Sequence, residues 1–145
     1  MIREGLLTKL HTHMASNYPD VLVTLQDEIS VTKFLESKLD LLEDLPYVLL
    51  AKGTPLYIVE EMCLEVLEKS LGPSRFNYFC SLLQNNFETQ YFDWLAAGVL
   101  PYEVMNLMEL THESFQKNGS VESEWEKDEF QLSLMEIIDG YLQEN

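Results

Sequence analysis

The clearest helical pattern in the sequence runs from Thr54 to Pro73 and reads TPLYIVEEMCLEVLEKSLGP. Its apolar residues recur at steps of three and four, which is the spacing of one face of an α-helix. These residues are Val59, Met62, Cys63, Val66, Leu67 and Leu71. Thr54 is a suitable N-cap, Pro55 suits the first helical position, and Gly72 suits the end. The stretch therefore predicts an amphipathic helix with one buried face.

The same periodicity continues after this helix. It predicts one helix over 74–98, with a break near Asn85 and Asn86 as the alternative. A helix over 101–118 follows, and a capping box over 123–126 predicts the start of the last helix.

Before Thr54, the spacing of the apolar residues is less regular. Residues 4–14 and 31–42 predict helices, whereas the run over 21–24 fits either a short strand or a helical turn. Pro46 must end or kink its helix. Short connections between several helices predict an all-α fold, a single-domain bundle of about five to seven helices over residues 1–145. The stretches after Gly53 and Gly98 are also faintly alike, each with a Pro, a Tyr and a Met-containing helix.

The composition excludes some classes of protein. The chain has 145 residues, of which 46% are hydrophobic, so it can fold around a core without disulfides. Nine Lys and Arg stand against 25 Asp and Glu, giving a formal net charge of −16. This charge argues against direct nucleic-acid binding and against docking on an anionic membrane. No apolar run has the length of a signal peptide or a membrane span, so a cytoplasmic protein is expected.

Few residues suggest a catalytic, cofactor-binding or metal-binding role. Cys63 and Cys80 lie in apolar helical runs and are predicted to be buried free thiols. A glycine-rich phosphate loop, a nucleophile elbow and the common metal-ligand spacings are lacking from the sequence. No catalytic residue, no metal site and no cofactor is therefore predicted.

The three histidines fit the same interpretation. His11 and His13 face apart on a helix and are predicted to be surface residues. Glu109 and His112 form one Glu-x-x-His spacing, whereas di-iron bundles use two. Because His112 continues an apolar stripe, we predict that it lies in the core or at its boundary rather than on a metal.

Aromatic residues crowd the stretch over 76–94. The helical stripe assigns some of them to the core, namely Phe76, Phe79, Phe87, Tyr91 and Trp94. Tyr78 and Phe92 lie off this stripe. They either pack against a neighbouring helix or belong to an exposed apolar patch that contacts a partner.

Negative charge is concentrated towards the end of the sequence. Residues 88–145 hold 13 acidic and two basic side chains, whereas residues 1–87 hold 12 and seven. The densest acidic run consists of Glu122, Glu124, Glu126, Asp128 and Glu129. A solvated face is the simplest interpretation. Two more specific interpretations are electrostatic attraction of a basic protein partner and mimicry of the phosphates of DNA.

One wider pattern resembles a known family over about half the chain. It is carried by Ala51-Lys52-Gly53-Thr54-Pro55, Met62, Leu67, Leu71, Ser74-Arg75-Phe76, Leu83 and Phe87, and by Ile137-Ile138-Asp139-Gly140-Tyr141-Leu142. The pattern resembles an uncharacterised all-helical family of Bacteroidetes, a domain of unknown function. The resemblance implies a cytosolic bacterial helical protein with no known reaction, and it transfers no catalytic residue to this chain.

Three hypotheses of function follow. We expect a non-enzymatic protein–protein interaction module that docks through a helix face, with Tyr78, Phe92 and the acidic run as contacts and a basic protein as partner. The second hypothesis is a DNA mimic that inhibits a nucleic-acid-binding protein. The third is an enzyme with an acidic or Glu109–His112 site assembled in space. A homodimer is compatible with the long apolar helices.

Overall fold

The computed structural model describes residues 2–144, and every regular element in that range is helical. Its ten α-helices are α1 (Ile2–Asn17), α2 (Pro19–Leu25), α3 (Glu28–Leu39), α4 (Leu45–Ala51), α5 (Leu56–Leu71), α6 (Arg75–Asn86), α7 (Glu88–Ala97), α8 (Leu100–Leu110), α9 (His112–Asn118) and α10 (Asp128–Glu144). Two short 3-10 helices, Asp40–Leu42 and Glu122–Glu124, complete the described elements. The all-α prediction is confirmed, and the prediction of five to seven helices is wrong.

The predicted helix over 74–98 is divided into α6 and α7, which agrees with the alternative break near Asn85 and Asn86. Phe87 separates them with a φ of −135°. Next to it, the side-chain amide of Asn86 donates to the Leu82 carbonyl at 2.9 Å. Asparagine favours helix ends because its side chain competes with the backbone for such bonds. The apolar periodicity continues across this break and therefore does not reveal it.

The predicted helix over 101–118 is likewise divided, into α8 and α9. Thr111 lies between them, and its hydroxyl donates to the Leu107 carbonyl at 2.7 Å. A threonine that bonds back to its own helix in this way tends to bend the helix. Thr111 is fully buried, so the break occurs at a core position.

Two further predictions are settled locally. The run over 21–24 is helical, because it lies in α2 with Pro19 in the first turn. The capping box over 123–126 does not start a helix, since α10 begins only at Asp128. There the indole of Trp125 is buried and donates from Nε1 to the Gly119 carbonyl at 2.8 Å. This tertiary anchor overrides the local cap pattern.

The first compact unit of the chain ends at Ser74 and is built around α1 and α5, with α3 packed on α1. Its buried cluster consists of Leu6, Leu10, Met14, Tyr18, Leu35, Leu39, Leu42, Val59, Cys63 and Leu67. The Tyr18 hydroxyl donates to the Gly72 carbonyl, and the Lys38 ammonium donates to the Ser70 carbonyl at 3.3 Å. Gly72 has a φ of 76° and ends α5 as predicted.

The second compact unit begins at Arg75. Its buried cluster consists of Phe76, Phe79, Leu82, Leu83, Leu100, Val104, Leu107, Phe115, Trp125, Phe130, Leu134 and Ile138. The centre is aromatic, since the Phe115 ring meets Phe130 edge-on at 5.0 Å between centroids and Trp125 edge-on at 5.6 Å. Phe87, Tyr91 and Trp94 are only half-buried against this cluster, which corrects their assignment to the core.

Each unit thus has its own hydrophobic cluster. The prediction of a single domain over 1–145 stays a prediction, which unfolding of the separate units tests. None of the helices within residues 2–144 combines the length and the apolar character needed to cross a bilayer.

Candidate interaction surface

Tyr78 lies in the aromatic centre of the second unit. Its ring packs against Phe115 and Trp125, with centroids 6.2 and 5.1 Å away. Its hydroxyl donates to the Trp125 carbonyl at 2.7 Å. Burial raises the pKa of Tyr78 to about 12, and the negative charge of Glu126 adds to the effect. The side chain is thus used inside the unit, and a contact of Tyr78 with a partner stays a prediction.

Phe92 is placed differently, because 45% of its surface is exposed on α7. Its ring contacts Tyr91 edge-on at 5.1 Å. Leu95, almost one turn further along the same helix, is also exposed. No residue of α7 is buried, so this helix offers an apolar surface to solvent.

The acidic run extends from the 3-10 helix Glu122–Glu124 through the turn at Glu126 to the first turn of α10. Its side chains are exposed except that of Glu124, which is half-buried. Glu124 pairs with Lys127 at 2.8 Å, between Oε2 and Nζ. The carboxylates of Asp128 and Glu129 lie in the first turn of α10, where the helix dipole favours negative charge.

The backbone beneath the acidic run is held at Trp125. Besides the indole bond to Gly119, the Trp125 carbonyl accepts hydrogen bonds from the Tyr78 hydroxyl and from Nε2 of Gln131, the latter at 3.1 Å. The acidic side chains therefore project from a fixed segment rather than a loose loop. Sequence reasoning missed this anchor, and its only signal was a lone tryptophan among charged residues.

A cleft of about 580 Å³ borders the acidic run. Lys117 and Lys127 line it together with Glu124 and Glu129. Its lining is mainly polar and carries both signs of charge, unlike the largely apolar pockets that hold small molecules.

The residues of the enzyme hypothesis are not brought together into a pocket. Glu109 and His112 are both exposed, so the prediction that His112 lies in the core or at its boundary is wrong. The helix break explains the difference, because Thr111 takes the buried position beside it. Glu109 lines a depression of about 550 Å³ of which His112 is not a part.

The other two histidines lie on α1, in the first unit. His11 is exposed, whereas His13 is half-buried with its Nδ1 3.4 Å from Oε1 of Glu68. Within residues 2–144, no three His, Cys, Asp or Glu side chains are placed to share a metal ion.

The two cysteines are free thiols. Cys63 is buried as predicted, and Cys80 is only half-buried. Burial raises the pKa of Cys80 to about 11, and burial followed by the charge of Glu60 raises the pKa of Cys63.

Comparison of the chain with models of known protein families, with curated proteins and with solved structures finds no match. The resemblance to the helical Bacteroidetes family stays a prediction.

Proposed function

We propose that the protein is a non-enzymatic interaction module whose acidic surface selects a basic protein partner. The observation that carries this proposal is the acidic run, which stands exposed on a segment held at Trp125. Charges on a fixed segment keep their spacing, which favours one arrangement of opposite charges on a partner over others.

The charge of the second unit supports the same proposal. Residues 75–145 carry 13 acidic and three basic side chains. One of the three cations, Lys127, is already paired with Glu124. Each exposed pair is worth little in water, but a field of one sign raises the rate at which an oppositely charged protein arrives.

The test removes the charge of the acidic run without changing its shape. The variant carries Glu122→Gln, Glu124→Gln, Glu126→Gln, Asp128→Asn and Glu129→Gln. A matched control neutralises as many exposed carboxylates of the first unit, all of them outside α4 and its turn into α5, through Glu4→Gln, Glu28→Gln, Glu36→Gln, Asp40→Asn and Glu65→Gln. Both variants and the wild type are used as bait for proteins of the source cell.

We expect the wild type and the control to retain the same basic protein, and the run variant to lose at least about tenfold in affinity for it. Retention should also weaken as salt rises from about 50 to about 500 mM, because exposed charges are screened. Binding that ignores both salt and the run variant would overturn the proposal. A retained protein that DNA displaces would indicate the DNA mimic instead.

A further inference from the structure

The first unit contains a helix hairpin, α4 and α5, that turns at Gly53. Gly53 has a φ of 84°, and its N–H donates to the Leu50 carbonyl at 3.0 Å. The next N–H, that of Thr54, donates to the Leu49 carbonyl at 3.1 Å. These two bonds around a left-handed glycine form a Schellman motif.

The second unit contains the same turn between α7 and α8, at Gly98. Gly98 has a φ of 76°, and its N–H donates to the Leu95 carbonyl at 3.2 Å. The next N–H, that of Val99, donates to the Trp94 carbonyl at 3.0 Å. Every donor and acceptor lies the same number of residues after its counterpart in the first hairpin. The faint likeness of the two stretches in the sequence is therefore a likeness of backbone structure.

The two hairpins also expose apolar side chains at matching positions. We call Tyr47, Leu50 and Tyr57 the first tip, and Phe92, Leu95 and Tyr102 the second tip. In the same order, the exposed fractions are 64, 38 and 66% in the first tip and 45, 50 and 63% in the second. Two residues after Tyr57 and Tyr102, the matching valines Val59 and Val104 are fully buried. Single exposed apolar residues are ordinary on a protein surface, but a set that recurs on the same turn in both units is not scatter.

Acidic side chains border both tips. Glu88 lies one turn before Phe92, and no Lys or Arg occurs between Arg75 and Lys117 in the sequence. In the first hairpin, Glu61 lies one turn after Tyr57, and one exposed cation, Lys52, lies in the turn itself. Glu61 and Glu88 are both exposed.

An apolar surface bordered by carboxylates complements an apolar stripe flanked by Lys and Arg. A basic amphipathic helix carries both on one short element, and helices dock on apolar surfaces through side chains spaced three and four apart. A second copy of this chain fits poorly, because like charges would face each other around the contact. An anionic membrane is disfavoured for the same reason.

We infer that each tip docks a basic amphipathic helix of a protein partner, so that one chain takes two such helices. This inference rests on the proposed function and adds to it the partner's binding element and its place on the surface. The acidic run supplies attraction at a distance, and the tips supply the apolar contact.

The test uses two synthetic peptides of about 18 residues, which is about five helical turns. The amphipathic peptide has Leu on one face and Lys on the other, and the charge-only peptide has Ser in place of Leu. Calorimetry of the whole chain should give two amphipathic peptides bound per chain, with the charge-only peptide at least about tenfold weaker.

Substitution locates the sites. Phe92→Gln with Tyr102→Gln should remove one binding event, Tyr47→Gln with Tyr57→Gln the other, and all four together should remove both. The control is Leu110→Gln with Leu132→Gln, which changes residues of similar exposure outside the tips and should leave both events in place. In the wild-type protein, the methyl resonances of Leu50 and Leu95 should shift on binding.

The outcomes separate this inference from the proposed function. If both peptides bind with equal affinity and the tip variants change nothing, the inference is overturned while the acidic module stands. If neither peptide binds, or binding is unchanged by salt and by the acidic-run variant, both are overturned. Methyl shifts confined to Leu110 and Leu132 overturn the inference even without a variant. A wild-type dimer that the tip variants dissociate overturns it in favour of a second copy.

Discussion

Gly119 shows how the absence of a side chain permits the close packing of the aromatic centre of the second unit. A Cβ at this position would lie 2.5 Å from Cζ of Phe130, a buried ring already in edge contact with Phe115. We expect Gly119→Ala to lower the free energy of unfolding by about 1–3 kcal/mol, measured by urea denaturation. Gly140→Ala meets open space inside α10 and should raise it by about 0.5–1 kcal/mol. Similar effects of both substitutions would contradict the role given to Gly119.

Ionisation of Tyr78 should lower the free energy of unfolding at alkaline pH. Its pKa of about 12 in the folded protein lies above the ordinary value of 10.0, so folding favours the neutral phenol. That stabilisation is complete below pH 10.0 and is lost as the pH rises to about 12. We expect ultraviolet titration to show a tyrosine that ionises near pH 12, absent in Tyr78→Phe but retained in Tyr57→Phe. Over the same pH range, the free energy of unfolding should fall more steeply for the wild type than for Tyr78→Phe.

At the scale of the elements, the start of α3 is set by a side chain that the periodicity did not identify. The periodicity predicted a helix that begins at residue 31, but Asp27 is the N-cap and its Oδ1 accepts a hydrogen bond from the Ser30 N–H at 2.7 Å. We expect Asp27→Ala to lower the free energy of unfolding by about 1 kcal/mol, measured by thermal and urea denaturation. Asp27→Asn keeps an accepting oxygen and should lower the free energy of unfolding by only about a few tenths of a kcal/mol. An equal loss in both variants would mean that charge, not capping, stabilises this end.

The elements that the sequence predicted well are those whose periodicity ends at a strong local signal. Helix α5 ends at Gly72, whose positive φ has a low conformational energy only for glycine. The division at Thr111 escaped prediction, and the division at Phe87 was predicted only as an alternative, because the apolar stripe continues across both. The exposed acidic run followed from composition, whereas its anchor at Trp125 depends on hydrogen bonds to Gly119 and Gln131 that only the folded chain brings together.

The two compact units of the molecule are built around hydrophobic cores of different composition. The first buries aliphatic stripes of α1 and α5, and the second buries an aromatic centre around Phe115. Both nevertheless carry the same glycine turn, at Gly53 and Gly98. A shared turn on dissimilar cores means that the hairpin geometry does not depend on one particular core.

Because each unit has its own buried cluster, we expect each half of the chain to fold and unfold by itself. We expect residues 1–74 and residues 75–145, expressed separately, to be helical by circular dichroism and to unfold cooperatively in urea. Each keeps its buried cluster and its own long-range hydrogen bond, from Tyr18 to Gly72 or from Tyr78 to Trp125. Each fragment should be only marginally stable, by about 3–5 kcal/mol at most, because short chains bury little surface.

A shorter fragment over residues 1–63 provides the control. It ends within α5, loses Leu67 from the cluster and Gly72 from the hydrogen bond, and should therefore be unfolded. If residues 75–145 gave no cooperative transition while the whole chain did, the aromatic centre would need the other half of the chain to form. The protein would then be the single domain that its length predicts.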